Sequence, residues 1–295
     1  LSKTPTEKLN FPALFTDYLN RDKRILEFFN HDPFEESTVN EKLNQFLFRG
    51  SRADTVRLLH DFNAPLDPPK EVLSNINALA GENTFAVVTG QQPVIFGGTL
   101  FTIYKTLTAI VYCSLLREQT GHNFVPVFWM GDEDHDFDEI ASVAIPSSNN
   151  TAQFEWQTGQ NRNQRAADIL LDGEFDKLKD AVREKLGNTD FSADLWDLVD
   201  NCYSIKTHTG EAFARLLMRM FGRQGLILAG SNDDGIKVHA KSVLQTAVKK
   251  REEIYQTLKA TSAKLENRGY HSQVLVQESN LFRIGEDDTR YKLDF

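Results

Sequence analysis

The segment Gly131-Asp132-Glu133-Asp134-His135-Asp136-Phe137-Asp138-Glu139 places six carboxylates around one imidazole within the eight residues from Asp132 to Glu139. Like charges this close repel, so the segment is stable only where solvent, a cation or a metal separates them. Several chemistries suit it. Glu133 and Asp136 could bind the ammonium group of a substrate. Asp132 and Asp136 are candidate ligands for a magnesium ion held with a nucleotide. Asp134 and His135 could exchange a proton with a reacting group, His135 as donor to a carboxylate or phosphate and Asp134 as base, or His135 itself as base. A solvated acidic turn is the alternative. An EF-hand calcium loop beginning at Asp132 is excluded, because Phe137 stands where glycine is required and Val143 where a bidentate glutamate is required.

A second segment, Thr89-Gly90-Gln91-Gln92-Pro93-Val94-Ile95-Phe96-Gly97-Gly98-Thr99, is rich in glycine and runs into a helical pattern with Thr99 at the N-cap position. Free amides at a helix start attract an anionic group. The spacing matches neither a Walker loop nor a G-x-G-x-x-G fingerprint. A mere strand-to-helix turn would not need the paired amides of Gln91 and Gln92. Lys105, two turns into the helix, is either a substrate-facing cation or a surface residue. Replacing Gly98 by Val is expected to harm ligand binding more than folding, unless Gly98 needs a positive φ. A third segment, Gly230-Ser231-Asn232-Asp233-Asp234, offers Asn232 to a ligand, or else Ser231 or Asn232 as a helix cap. His31, His60, His122, His208 and His239 read as connection, surface or packing residues, while His271 and Asn280 could edge a cleft.

These segments matter because each follows an apolar run with strand character: Thr84 to Thr89, Phe124 to Met130, and Gly225 to Ala229. Open α/β sheets bind ligands beyond the carboxyl ends of their strands. Between the first two runs, Thr99 to about Arg117 is helical. Its Leu100, Tyr104, Leu107, Ile110, Val111 and Leu115 form a broad apolar face, so strand, helix and strand make a crossover unit. The expected divisions are a helical lead-in over 1–83, the first part of the core over 84–150, an insertion over 151–208, the second part of the core over 209–267 with one long charged helix from Asp233, and a strand-rich segment over 268–295. Within the last, Gln273 to Val276 and Leu281 to Ile284 read as strands.

A net charge of -9 and a pI near 5.3 exclude a chain that tracks the nucleic-acid backbone through a basic field. Cys113 and Cys202 cannot form a disulfide framework or a multi-cysteine zinc site, and each reads as a small buried residue in a reducing compartment. No run reaches the roughly 18 uninterrupted apolar residues of a membrane span, and Leu1 to Pro5 lacks a signal core, so a cytoplasmic protein is expected, without a membrane partner. A first residue other than Met and a strand-like end at Tyr291 to Phe295 read as a truncated chain.

Thr89-Gly90-Gln91-Gln92, then Gly97-Gly98 before Thr102-Ile103-Tyr104-Lys105, then Pro126-Val127-Phe128-Trp129 and Glu133 to Ile140, together resemble the cysteine-adding family of bacillithiol biosynthesis. Fainter similarity through Phe213-Ala214-Arg215, Gly225 to Leu228 and Asn280-Leu281-Phe282 extends the resemblance over nearly the whole chain. It implies an α/β fold: a Rossmann-type parallel sheet core with a helical lead-in and connecting insertions, similar in layout to class I aminoacyl-tRNA synthetases and nucleotidylyltransferases. It also implies a reaction, the joining of the carboxyl group of cysteine to the amino group of glucosaminyl malate. Carboxyl activation then calls for ATP, through an acyl-adenylate or acyl-phosphate, with Mg2+ as a candidate companion. Neither a His-x-Gly-His nor a Lys-Met-Ser-Lys-Ser signature marks the nucleotide site. Family members continue past Phe295 into more core and a coiled-coil helix, so the full-length protein is expected to be a homodimer. By chemistry, Gln91, Gln92, Gly97 and Gly98 are set against an anionic or sugar moiety, with Lys105 and Asn232 beside them. Asp134 and His135 are set nearest the amine, and Asp132, Glu133 and Asp136 are amine or metal ligands. The alternatives are a nucleotidyl or sugar transferase on the same core, or a non-catalytic nucleotide-binding module.

Overall fold

The computed structural model describes residues 11–35, 37–146, 150–278, 281–287 and 289–293. The elements run α1 (Ala13–Leu19), α2 (Lys23–Leu26), α3 (Ser37–Gln45), α4 (Arg52–Asn63), α5 (Lys70–Ala78), β1 (Thr84–Gln91), α6 (Leu100–Thr120), β2 (Asn123–Met130), α7 (Phe137–Ile140), β3 (Ser142–Pro146) and β4 (Thr151–Glu155). They continue with α8 (Gly173–Leu186), α9 (Ser192–Cys202), α10 (Thr209–Phe221), β5 (Ile227–Gly230), α11 (Asp234–Lys249), α12 (Arg251–Asn267), β6 (Phe282–Ile284) and β7 (Arg290–Lys292). Contacts divide the chain into two units, Gly50–Ser242 with Phe282–Lys292, and Leu1–Arg49 with Val243–Leu281 and Leu293–Phe295.

In the larger unit the three apolar runs form one parallel sheet in the order β1-β2-β5. The register sets Gln91 opposite Met130 and Met130 opposite Gly230, so all three strands end level. This is the expected α/β fold with a parallel sheet. The crossover helix α6 packs on β1 and β2 through a different stripe from the one expected. Thr102, Thr106, Ala109, Cys113 and Leu116 are buried, whereas Leu100, Tyr104, Leu107, Val111 and Leu115 are exposed, Tyr104 by 60%. The helix is apolar on nearly every side, so periodicity could not choose the face, and the stripe of small residues lets it approach the sheet closely. By length and composition α6 could cross a membrane, but here it covers the sheet.

The outer edge of β5 is closed by a side chain. Asn63, fully buried at the end of α4, accepts from Leu228 N–H at 3.1 Å and donates to Leu228 C=O at 2.8 Å and to Leu59 C=O at 2.7 Å. It thus satisfies both backbone groups that a further strand would pair at Leu228. Ala64–Leu66 follows as a single 3-10 turn before Pro68 and Pro69 stop the chain, as the prolines require.

The segment between β2 and α10 builds a second core with the two loops ahead of it. Ile95, Phe137 and Ile140 pack there with Trp156, Phe175, Tyr203 and Leu216. Asp172 fixes its centre, accepting from Trp156 Nε1 at 2.8 Å, Thr158 Oγ1 at 2.7 Å and the amides of Glu174 and Phe175 at 3.1 and 3.0 Å. β3 and β4 form an antiparallel hairpin at its margin.

In the smaller unit Glu27 pairs with Lys264 at 3.2 Å and with Arg268, and Tyr270 donates to Asp17 at 2.8 Å. The expected long helix is two helices, because Lys250 leaves helical geometry with φ -102 and ψ 14. Gln273 to Val276 forms no strand, while Phe282–Ile284, which belongs to the larger unit, pairs with Arg290–Lys292. Asn280 lies outside the described residues.

Asn63→Ala strips Leu228 of both partners inside the core and is expected to lower unfolding stability by about 3 kcal/mol in urea titration. A loss under about 0.5 kcal/mol would show that the edge is satisfied by other means.

Candidate active site

The level strand ends are stitched together by backbone. Gly131 N donates to Gln91 O and Ser231 N to Met130 O, both at 3.1 Å, so the three loops leave the sheet side by side. Gly90 permits this approach: a Cβ there would lie 2.4 Å from Trp129 O. Asp132 completes the join between the second and third loops. Its carboxylate, 8% exposed, accepts from Ser231 Oγ at 2.9 Å and Asn232 N at 2.7 Å. Burial pushes its pKa up against the lowering by those donors. Ser231 and Asn232 therefore serve Asp132, and the cap of α11 is Asp233, which accepts from Ile236 N at 2.9 Å.

In the first loop Lys105 Nζ donates to Gly90 O at 2.9 Å and Gln91 Oε1 at 2.7 Å, which makes it neither a solvated surface residue nor an unattached cation. Gln92 Nε2 is buried without an acceptor, a donor that a ligand could satisfy. Phe96, Gly97 and Gly98 all have positive φ, at 55, 84 and 72 degrees. The Gly97 amide is used by Val94 O at 3.1 Å and Tyr203 Oη at 3.2 Å, and the Gly98 amide by Ile95 O at 3.1 Å. These two glycine amides are thus committed to the turn. Thr99 occupies the N-cap position but its side chain caps no amide, which leaves the start of α6 open to an anion.

The six carboxylates of the second loop disperse. Asp132 turns to the third loop, Glu133 lies 3.6 Å from Lys237 Nζ, Asp136 caps α7 by accepting from Glu139 N at 3.1 Å, and Asp138 pairs with Arg162 at 3.3 Å. Asp134 accepts from the His135 amide at 2.8 Å, and its own carbonyl receives Ala166 N at 2.8 Å. His135 Nδ1 lies 2.9 Å from Glu133 O, and a carbonyl only accepts, so that nitrogen carries a proton. Among the described residues no three His, Cys, Asp or Glu side chains gather as a metal site. Asp132 and Asp136, the candidate magnesium ligands from sequence, each accept from a different backbone amide, of Asn232 and of Glu139.

Asn232 joins residues that sequence reasoning left aside. Its Oδ1 accepts from Arg165 at 2.6 Å and Lys237 at 2.7 Å, and its Nδ2 donates to Asp168 at 3.3 Å. Asn232, Asp132 and Asp168 border an open cavity of about 260 Å³ that His208, Glu211, Pro65 and Leu66 also line. The one signal for His208 was its place immediately before a strongly amphipathic helix. Both cysteines are buried, and burial pushes Cys113 up to about 11, which leaves it an inert thiol. His271 belongs to the smaller unit.

With this geometry in hand, residues 3–295 match the family model described as the N-terminal Rossmann-like domain of bacillithiol biosynthesis BshC. Similar curated proteins carry the name "Putative cysteine ligase BshC". That of Salinibacter ruber is 32% identical over 99% of this chain and 54% of its own length. Those of Chloroherpeton thalassium and Chlorobaculum tepidum are 32% and 30% identical over 96% and 98% of the chain, covering 52% and 53% of their own lengths. The chain spans about half the length of the curated relatives it matches.

A carboxyl whose folded pKa is raised loses stability as pH climbs from the unfolded value towards the folded one, so wild type should fall relative to Asp132→Asn upward from about pH 4. A stability difference that stays flat with pH between 4 and 7 would exclude this. Asp132→Ala should cost about 1–3 kcal/mol near pH 4, from the stranded Ser231 and Asn232 donors, with the cost shrinking as pH rises. Gly98→Val, expected from sequence to harm binding more than folding unless Gly98 needs a positive φ, meets that exception at φ +72, with Val94 at 3.1 Å. Thermal melting should show it destabilised, by at least about 1–2 kcal/mol from the backbone alone.

Proposed function

We propose, for a chain that belongs to the bacillithiol biosynthesis BshC family and matches its N-terminal Rossmann-like domain, an amide-forming ligase activity: the carboxyl group of cysteine is joined to the amino group of glucosaminyl malate. The observation that supports it best is the stitched pair of loops at Gln91-Gln92 and Gly131-Asp132, joined at the carboxyl ends of two parallel strands. That is where an open α/β sheet presents a ligand. A carboxylate is a poor acyl donor, and ATP supplies the activation in this reading. The start of α6, with Gln91 and the unsatisfied Gln92 amide, suits the anionic or sugar moiety, while Gly97 and Gly98 shape the turn that presents it. Lys105 positions Gln91. Asn232 holds the third loop against them.

His135 acts as a donor to the oxygens of the carboxyl group undergoing activation, and Asp134 positions it through its amide. Glu133 and Asp136 provide negative charge for the ammonium group of the cysteine. No step of this reading depends on a magnesium ion. A cytoplasmic setting and a homodimer of the full-length protein belong to the same reading.

The test is mass spectrometry of the full-length protein with cysteine, glucosaminyl malate and ATP. The expected product is their amide, formed only with all three present. Gln92→Leu should raise a substrate KM about tenfold, the value of one charge-assisted or buried hydrogen bond. Transfer of a nucleotidyl group to a sugar would instead favour a transferase, and nucleotide binding without turnover a non-catalytic module.

A further inference from the structure

The cavity beside the third loop has a one-sided charge. Its polar wall consists of Asp132, Asp168, His208, Glu211 and Asn232, with no lysine or arginine among the lining residues. The nearby cations do not line it: Arg165 Nε pairs with Asp168 at 2.6 Å, Arg215 with Glu211, and Lys237 donates to the Asn232 amide oxygen. The lining therefore offers acceptors and carboxylates, which suit a cationic group carried on a small molecule.

His208 is the one nitrogen base in that wall, and its geometry is fixed. Its Nδ1 lies 2.8 Å from Asp168 O, so Nδ1 carries the proton and Nε2 holds the lone pair when the ring is neutral. The backbone beside it is pinned by Thr209, whose amide donates to Ile169 O at 3.0 Å and whose hydroxyl donates to Ala166 O. A ring that lines the cavity, with its tautomer set by a carbonyl and its second nitrogen left as the acceptor, is placed to take up a proton.

We propose that this cavity is the amine subsite of the ligation, with His208 Nε2 as the acceptor of the amine's proton. The inference rests on the ligase reading above. The carboxylates collect the amine as its ammonium, and one proton leaves nitrogen for Nε2, which makes the ring an imidazolium. The freed lone pair attacks the activated cysteinyl carbonyl, an acyl-phosphate or acyl-adenylate. The C–N bond forms, the phosphate or AMP departs with the electrons of the broken C–O bond, and the second amine proton passes to solvent.

The test uses the full-length protein and His208→Asn, whose side-chain amide can still donate to Asp168 O but offers no base. Amide formation should fall about 100-fold or more. The acidic limb of kcat/KM against pH should vanish, with the cysteine KM and melting temperature unchanged. Calorimetry with glucosaminyl malate alone, without ATP, reads the subsite whether or not turnover occurs, and Glu211→Gln should weaken that binding about fivefold. A full rate with an unaltered pH profile in His208→Asn overturns the proton role, and unchanged amine affinity in Glu211→Gln overturns the subsite. Wild-type protein that binds the amine with this Glu211 dependence yet forms no amide would refute the ligase reading and leave the subsite standing.

Discussion

Asn63 takes the place of a neighbouring strand along the outside of β5, and much of the molecule follows from that substitution. A parallel strand left open on one side must find partners for its amides or expose them to association. One carboxamide meets the requirement at Leu228 because it carries donor and acceptor on the same group. The helix that bears it must then run close beside the sheet, and its continuation through Pro65 and Leu66 arrives over the strand ends. The wall of the His208 cavity is therefore a consequence of how the sheet is terminated.

The acidic loop shows how a charged sequence is made compatible with a packed site. Four of its six carboxylates meet different neighbours: a hydroxyl and an amide for Asp132, Lys237 for Glu133, a helix start for Asp136, Arg162 for Asp138. Phe137 and Ile140 meanwhile enter the second core and anchor the segment. The local concentration of charge is high along the chain and modest in space.

The sheet and its loops were legible in the sequence because continuous branched and aromatic runs leave few alternatives to buried parallel strands, and the residues after them are where such sheets bind. The face of α6 was not, since a helix apolar all round gives no periodic signal for which side meets the sheet. Asn63 was not, because a side chain standing in for a strand is recognised only once the strand is placed. His208 and Asp168 lie 40 positions apart and meet through a side-chain-to-backbone bond, with no local motif to announce it. Asp132 was singled out as a carboxylate, correctly in type, but its role depends on Ser231 and Asn232, about a hundred residues away.

The second core has a dynamic consequence. Ile95 of the glycine loop and Phe137 and Ile140 of the acidic loop are buried among the same side chains, and Tyr203 of the insertion bonds to the Gly97 amide and Val94 carbonyl. Neither loop can open far without exposing part of that shared interior, so their amides should exchange with solvent as one cooperative block with the insertion's own helices. Motions of the kind usual for binding loops would then be confined to the stretch from Gly98 to Phe101, which the core does not hold, and the rest of the site would be as rigid as the insertion that supports it.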